Sequence, residues 1–330
     1  MRRLFCILLL SSFAAAAQST PAKPGPLAHT FSIVARDPAT GEIGVAVQSH
    51  WFSVGSVVPW AEPGVGAVAT QSFVDPSYGQ FGLALMKVGR SAPDALRGLL
   101  AAESGRDVRQ VEMIDAQGRV LAHTGAKCVA SAGQITDEQN QFSVQANMML
   151  NDRIWPAMAK AYRETKGDLA ERMLAALDAA QEAGGDIRGR QSAAIIVVKE
   201  KPSGKPWEDR IFDLRVEDND RPLVELRRLV TLARAYNHMN AGDLASEHND
   251  TAGMLREYGA AEQLVPGNLE MIYWHAVALV NVNRTEEALP LFRRIFAADP
   301  NWAEMTRRLP ASGLLPNDPK ILQQILAQTK

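Results

Sequence analysis

The sequence predicts an α+β protein in which two antiparallel β-sheets lie between pairs of helices, followed by a small all-helical domain. Short β-rich runs are joined by tight turns, which favours antiparallel pairing of neighbouring strands. The helices come in adjacent pairs rather than between successive strands, which argues against a doubly wound parallel sheet. After residue 229 the β-rich runs become few and helical periodicity takes over.

The N-terminal segment has the pattern of a secretory signal peptide. Arg2 and Arg3 precede an apolar run over residues 4–17, and Ala15-Ala16-Ala17 supplies a small-residue cleavage site. The run is shorter than the roughly 20 residues that a membrane-spanning helix needs, although an uncleaved anchor stays open as an alternative. We therefore expect residues 1–17 to be removed and the protein to be exported to the periplasm or the extracellular space.

A Pro-rich linker, QSTPAKPGPLAH, follows over residues 18–29, and the folded domain is expected over residues 30–229. Alternating and β-branched residues predict its strands at 30–36, 43–48, 54–58, 65–70, 108–115, 119–124, 142–148, 192–198 and 211–216. Helical spacing predicts its helices at 78–88, 92–102, 153–163, 169–183 and 223–236.

The C-terminal segment, residues 230–330, repeats with the tetratricopeptide period of 34 residues. The matching pairs are Gly242 and Ala276, Tyr258 and Phe292, and Pro266 and Pro300. Such arrays recruit protein partners through concave surfaces, so we expect a partner-binding role for this tail. Unrelated helical hairpins remain an alternative.

Composition and motifs narrow the possible functions. The formal net charge is −2 and there is no long basic run, so no nucleic-acid partner is expected. Once Cys6 leaves with the signal peptide, Cys128 is alone and no intrachain disulfide is possible. The six histidines are scattered, and neither an HExxH motif nor a P-loop occurs, so neither metal nor cofactor is expected.

Several stretches together resemble one family. They are TFSIVARDPATGEIGVAVQS (30–49), VGSVVPWAEPGVGAVATQ (54–71), PSYGQFGLALM (76–86), GRDVRQVEMIDAQGRVLAHTG (105–125), SVQANMM (143–149), and GDLAERMLAAL with GGDIRGRQSAAIIVV (167–198). The sequence resembles the N-terminal-nucleophile (Ntn) hydrolase-related family called domain of unknown function 1028. The resemblance implies a four-layer α-β-β-α sandwich and leaves the helical tail outside the family domain, but fold alone is a weak warrant for function.

In Ntn-hydrolases the residue that opens the first strand is the nucleophile, and its free α-amine is the base. Thr30 occupies that position, so the resemblance makes it the candidate. Its amine becomes free only if the chain is cut between His29 and Thr30. Two alternatives remain: Thr30 merely begins a strand, for which threonine is well suited, or Ser32 is the nucleophile.

The end of the second strand and the SVQANMM stretch supply further candidates. Gln48 stands where proteasome-like hairpins carry an acid, and Ser49 and His50 follow it. His50 has the side chain for acid–base catalysis near neutral pH, although a plain loop histidine is the alternative. Asn147 is a candidate oxyanion donor, with a turn-forming role as the alternative.

The motif GGDIRGRQS is the sharpest polar feature. Asp186, Arg188, Arg190 and Gln191 suit a carboxylate-bearing ligand, or else an ion pair that braces the loop. Asp75 and Tyr78, before the first helix, are expected to line the same cleft.

Two functions from different classes follow. The first is an exported Ntn-type hydrolase that acts on an amide or peptide bond of a small-molecule or peptide substrate, with a helical tail that binds a protein partner. The second is a non-catalytic binding or scaffold protein that keeps the fold. A homo-oligomer is compatible with either.

Overall fold

The computed structural model describes residues 27–329, so the signal peptide expected at 1–17 and most of the expected linker lie outside the described residues. The protein is a mixed α+β structure with two antiparallel sheets and an all-helical C-terminal region, as the sequence predicts. The first two described residues, Leu27 and Ala28, form a short strand, although the sequence places them in the linker.

The first sheet has five strands in the described part of the chain. They are β1 (Leu27–Ala28), β4 (Pro59–Glu62), β5 (Gly66–Phe73), β6 (Arg109–Asp115) and β7 (Val120–Thr124). The order is β1-β5-β6-β7, and β4 pairs with β5 along the same edge as β1.

The second sheet has six strands. They are β2 (Thr30–Arg36), β3 (Ile43–Ser49), β8 (Gly133–Asp137), β9 (Phe142–Ala146), β10 (Ser192–Val198) and β11 (Arg210–Val216). The order is β11-β10-β3-β2-β9-β8. In the β2–β3 register Thr30 lies opposite Ser49, so these two side chains share a face of the sheet.

The two sheets pack face to face, and helices cover their outer faces. The interface between the sheets buries aliphatic side chains such as Val47 and Ala69. Helices α1 (Ser77–Lys87) and α2 (Ala92–Ala102) cover the first sheet around Val111. Helices α3 (Ile154–Glu164), α4 (Leu169–Glu182) and the first half of α5 (Pro222–Glu247) cover the second sheet around Ile33.

Two strands differ further from the sequence prediction. The strand predicted over 54–58 is wrong: Val54–Ser56 forms a 3-10 turn, and the strand begins at Pro59. Ser53 before the turn has a left-handed φ of 55°, which breaks an extended run. Strand β8 was missed because GQITD is short and polar, as edge strands often are.

Helix α5 joins the sandwich to the helical region. Its first half buries Leu226 against the second sheet, and its second half packs Met239 against the next helix. The remaining helices are α6 (Thr251–Leu264), α7 (Leu269–Asn281), α8 (Thr285–Ala298), α9 (Asn301–Arg308) and α10 (Pro319–Leu326). Among residues 27–329, no helix is both long enough and apolar enough to cross a membrane.

The 34-residue spacing corresponds to helix packing. A Cβ atom on Gly242 of α5 would lie 3.2 Å from the ring of Tyr258 in α6. Their counterparts, Ala276 of α7 and Phe292 of α8, are both fully buried in one apolar cluster. In the first copy a small residue on one helix therefore faces an aromatic ring on the next helix, and in the second copy the corresponding residues share one buried cluster.

Candidate functional site

The chain crosses from the first sheet to the second at His29. Ala28 pairs with Ser72 of β5, whereas Thr30 pairs with Ser49 of β3. His29 and Thr30 are both buried, with exposed fractions of 1% and 0%. The His29–Thr30 peptide bond is thus the link between the sheets, and it lies inside the protein.

The carbonyl oxygen of His29 accepts two side-chain hydrogen bonds. Ser49 Oγ donates at 2.5 Å and Arg188 Nη2 donates at 2.8 Å. Two donors, one of them cationic, polarise the carbonyl and stabilise negative charge that develops on its oxygen. These donors are of the kind that stabilise an oxyanion at this position.

The hydroxyl of Thr30 lies beside that carbonyl. Thr30 Oγ1 donates to the Ala28 carbonyl at 2.7 Å and is 3.5 Å from Ser49 Oγ. The Thr30 carbonyl is held in turn by Gln71 Nε2 and by the backbone N–H of Asn147, each at 3.1 Å. The backbone on both sides of the bond is therefore fixed by hydrogen bonds.

The imidazole of His29 is held in one tautomer. Gln110 Nε2 donates to the carbonyl of Ala146 at 2.9 Å, which leaves Gln110 Oε1 to accept from Asn147 Nδ2, also at 2.9 Å. Asn147 Oδ1 therefore faces His29 Nδ1, 2.6 Å away, and His29 carries its proton on Nδ1. The ring meets Phe73 edge-on, with centroids 6.4 Å apart.

His29 Nε2 has no hydrogen-bond partner among the described residues. Burial lowers the pKa of His29 below its ordinary 6.5, and the nearby Arg188 guanidinium acts in the same direction. The imidazole is accordingly neutral at neutral pH.

The loop that carries Arg188 is pinned beside Asn147. Leu150 N donates to Gly185 O, and Met149 bridges to Asp186. Asp186 then accepts from Arg188 Nε at 3.0 Å and Nη2 at 2.7 Å. This bidentate ion pair orients the guanidinium toward the His29 carbonyl. Asp186 therefore positions Arg188, and Arg188 makes the contact with the carbonyl.

The predicted site residues near Thr30 are only partly in their expected roles. Ser49 and Arg188 bond the His29 carbonyl, whereas the Asn147 amide nitrogen is committed to Gln110. The backbone N–H of His50 donates to Asp186, and its ring lies against Gly189. Gln48 points to the opposite face of the sheet, in register with Phe31, so it does not meet the Thr30 side chain.

The other predicted residues lie further from the Thr30 hydroxyl. The Asp75 carboxylate pairs with Arg109 at 3.7 Å and Tyr78 donates to Glu103 at 2.5 Å. Arg109 also donates to the Phe73 carbonyl, so this group braces the loop after β5 rather than lining the site.

Arg190 and Gln191 also point away from Thr30. Arg190 lines a separate cavity of about 290 Å³ beside Pro222. The Gln191 side chain bonds Asp218 at 3.2 Å, and only its backbone N–H reaches the Ser49 carbonyl.

Sequence reasoning missed the residues that complete the site. His29 was assigned to the linker, and Phe73, Gln71 and Gln110 were not singled out. The alternation of polar residues in β6 is typical of a strand with one solvent-exposed face. Gln110 and Glu112 nevertheless face the other sheet and are fully buried. Gln110 inside the predicted strand 108–115 and Gln71 directly after the predicted strand 65–70 were the available signal.

A second polar group lies deeper between the sheets. Ser32 Oγ, two residues along β2 from Thr30, donates to Glu112 Oε1 at 2.9 Å, and Gln145 Nε2 donates to Ser32 at 3.2 Å. Complete burial raises the pKa of Glu112 well above its ordinary 4.5. The described residues contain no cluster of three or more His, Cys, Asp or Glu side chains able to hold a metal ion.

Comparison with known proteins places the chain in a family. The model of the family of unknown function DUF1028 matches residues 30–226, and the chain belongs to that family. A crystal structure of a Silicibacter pomeroyi protein of the same family is similar, with 30% sequence identity and a TM-score of 0.56. The similarity covers 66% of this chain and 88% of that one. No curated protein matches significantly.

Proposed function

We propose that this protein is an exported Ntn-type hydrolase of amide or peptide bonds that activates itself by cutting the His29–Thr30 bond. The observation that carries the proposal is the His29 carbonyl, held by Ser49 and Arg188 beside the Thr30 hydroxyl. Two sheets with helices on their outer faces support kinship with the four-layer sandwich of Ntn-hydrolases.

The cleavage is an intramolecular acyl shift followed by hydrolysis. Thr30 Oγ1 attacks the His29 carbonyl carbon, and the oxyanion is stabilised by Ser49 and Arg188. The C–N bond breaks, the hydroxyl proton passes to the Thr30 nitrogen, and an ester joins His29 to Thr30 Oγ1. Water then hydrolyses the ester, which releases the segment that ends at His29 and frees the Thr30 amine.

The mature site repeats this chemistry on a substrate. The α-amine, with a reference pKa of about 7.7–8.0, takes the Thr30 hydroxyl proton as the oxygen attacks. The substrate carbonyl occupies the position of the His29 carbonyl and meets the same two donors. Ser49 and Arg188 thereby take the oxyanion role that the sequence suggested for Asn147.

The decisive experiment replaces the nucleophile. We expect Thr30→Ala to abolish cleavage and retain residues up to His29, whereas Thr30→Ser cleaves because it keeps a hydroxyl. Intact mass and N-terminal sequencing of the purified protein measure the result. Thr40→Ala is the matched control, because Thr40 is exposed in the turn between β2 and β3.

Arg188→Met tests the oxyanion assignment. Loss of one donor typically slows such a step by about 10²–10³-fold, so a cleavage time course of this variant should be slower by that order. A wild-type protein that hydrolyses amides while residue 29 is still attached would refute the free-amine mechanism.

The alternative function is a binding or scaffold protein that never cuts this bond. Thr30 is fully buried and the preceding β1 is paired with β5. This favours the alternative, because a retained segment closes the site. Partner recruitment would then fall to the tetratricopeptide-like tail, where α5, α6 and α7 border a groove of about 420 Å³ lined by Met239, Tyr258 and Trp274. Under this alternative Thr30→Ala behaves as wild type in a partner pull-down, and neither protein is cut.

A further inference from the structure

We propose that the position of His29 is the acyl-side subsite of the mature enzyme, and that it takes a histidine preceded by a small residue. This inference rests on the proposed function, because it treats the segment that ends at His29 as the first substrate. The substrates would be extended peptides cut after a small residue–histidine pair.

The backbone of the segment shows how a peptide would bind. Ala28 and Leu27 extend antiparallel to β5, opposite Ser72 and Phe73. After release, this edge of β5 offers the same backbone groups to a substrate strand, which is a common mode of peptide recognition. Ala28 is fully buried, so the position before the histidine has room for a small side chain.

The walls of the subsite select a flat side chain with a donor. Asn147 Oδ1 is fixed as an acceptor by the Gln110–Ala146 hydrogen bonds and takes the Nδ1–H of the imidazole at 2.6 Å. Phe73 presents its ring at 84° to the imidazole plane. An aliphatic side chain would leave the buried Asn147 Oδ1 without a hydrogen bond. A carboxylate would place a second acceptor oxygen against it, which is repulsive.

Charge disfavours a cationic side chain at this position. Arg188, whose Nη2 is 2.8 Å from the His29 carbonyl, disfavours lysine or arginine in the neighbouring subsite. Asp186 is already engaged by the Arg188 guanidinium and by the His50 N–H. A neutral donor, as in unprotonated histidine, pairs with the Asn147 acceptor and avoids repulsion by Arg188.

Peptide binding to the protein that begins at Thr30 tests this inference. That form comes from self-cleavage, or from an inserted protease site that ends directly before Thr30 if the bond stays intact. The chain keeps every strand except the two-residue β1, and the family match also starts at residue 30. Calorimetry would compare the peptides Leu-Ala-His, Leu-Ala-Leu and Leu-Ala-Glu.

We expect Leu-Ala-His to bind at least about tenfold more tightly than the other two, in line with one buried hydrogen bond. Replacing its imidazole by thiazole, which has a similar shape and no N–H, should remove most of that preference. Asn147→Ser, which shortens the acceptor side chain, should reduce the preference on the protein side.

Equal binding of all the peptides within about twofold would overturn the subsite assignment. Binding is measured on a chain whose Thr30 is already terminal. Failure of the subsite assignment can therefore be distinguished from failure of the proposed function. Selective binding by a protein that does not cut a longer peptide, in which the chain continues past Leu-Ala-His, would support the subsite and refute the catalysis. Hydrolysis without selectivity would do the reverse.

Discussion

Glu112 places a carboxyl group between two sheets, and its ionisation should lower stability as the pH rises above about 4.5. Its pKa in the folded protein is raised by burial, so the folded state binds the proton more tightly than the unfolded state. The stabilising contribution is therefore complete below about pH 4.5 and is lost as the pH rises toward the raised value.

We predict that Glu112→Gln removes this loss. Between the two pKa values the wild-type free energy of unfolding should fall by up to about 1.4 kcal/mol per pH unit, and the variant should lack that slope. Urea unfolding at several pH values measures it. Exposed Glu138→Gln is the matched control and should keep the wild-type slope; equal slopes in all three proteins would contradict the prediction.

Residue types predicted part of the site and not its contacts. Thr30, Ser49, Asn147 and Arg188 were named from the sequence, and the structure brings all four around one peptide bond. His29 was missed because its burial depends on β1 pairing with β5, more than 40 residues away in the chain. No local pattern reports such a pairing.

Among the elements, glycines in helices allow a sharp test of packing. A Cβ atom on Gly79 of α1 would lie 2.3 Å from the ring of Trp60 in β4, whereas one on Gly98 of α2 would meet nothing within 4 Å. Gly79→Ala should destabilise the protein by about 1–3 kcal/mol through overpacking.

The Gly98→Ala variant is the counterpart. It should stabilise the protein by roughly 0.5–1 kcal/mol, because alanine loses less conformational freedom in a helix. Thermal and denaturant unfolding of both variants measure the difference. Similar effects of the two changes would mean that helix propensity, not the contact with Trp60, decides at Gly79.

Elements with a clear period were predictable and irregular ones were not. The predicted strand at 30–36 and the predicted helix at 92–102 coincide with β2 and α2. Residues 54–58 are apolar enough for a strand, but Gly55 sits where a Cβ would be 2.8 Å from Ala194, a tertiary contact that favours the turn. Helix α5 extends past residue 236 because its second half packs on α6.

At the scale of the molecule, the helical region has an apolar core of its own. Phe292 is fully buried in a cluster formed by α7 to α10, which is separate from the clusters of the sheets. Phe292→Ala should destabilise this region by about 3–5 kcal/mol and leave the rate of cleavage at His29–Thr30 unchanged.

Two readouts separate these effects. Protease accessibility of residues after Glu247 reports on the helical region, and the intact-mass time course reports on the cut. If Phe292→Ala slows the cut as strongly as it loosens the tail, the two parts are coupled through α5, which packs on the sheet core and on the neighbouring cluster that α5 forms with α6 and α7.

The crossing of the chain from one sheet to the other at His29 has a kinetic consequence. On the proposed function, nucleophile and target belong to the same molecule, so maturation follows first-order kinetics with a half-time that does not depend on protein concentration. It is also irreversible once the released segment diffuses away. Each molecule would therefore mature once, after a delay whose mean is set by the hydrogen bonds around one carbonyl group.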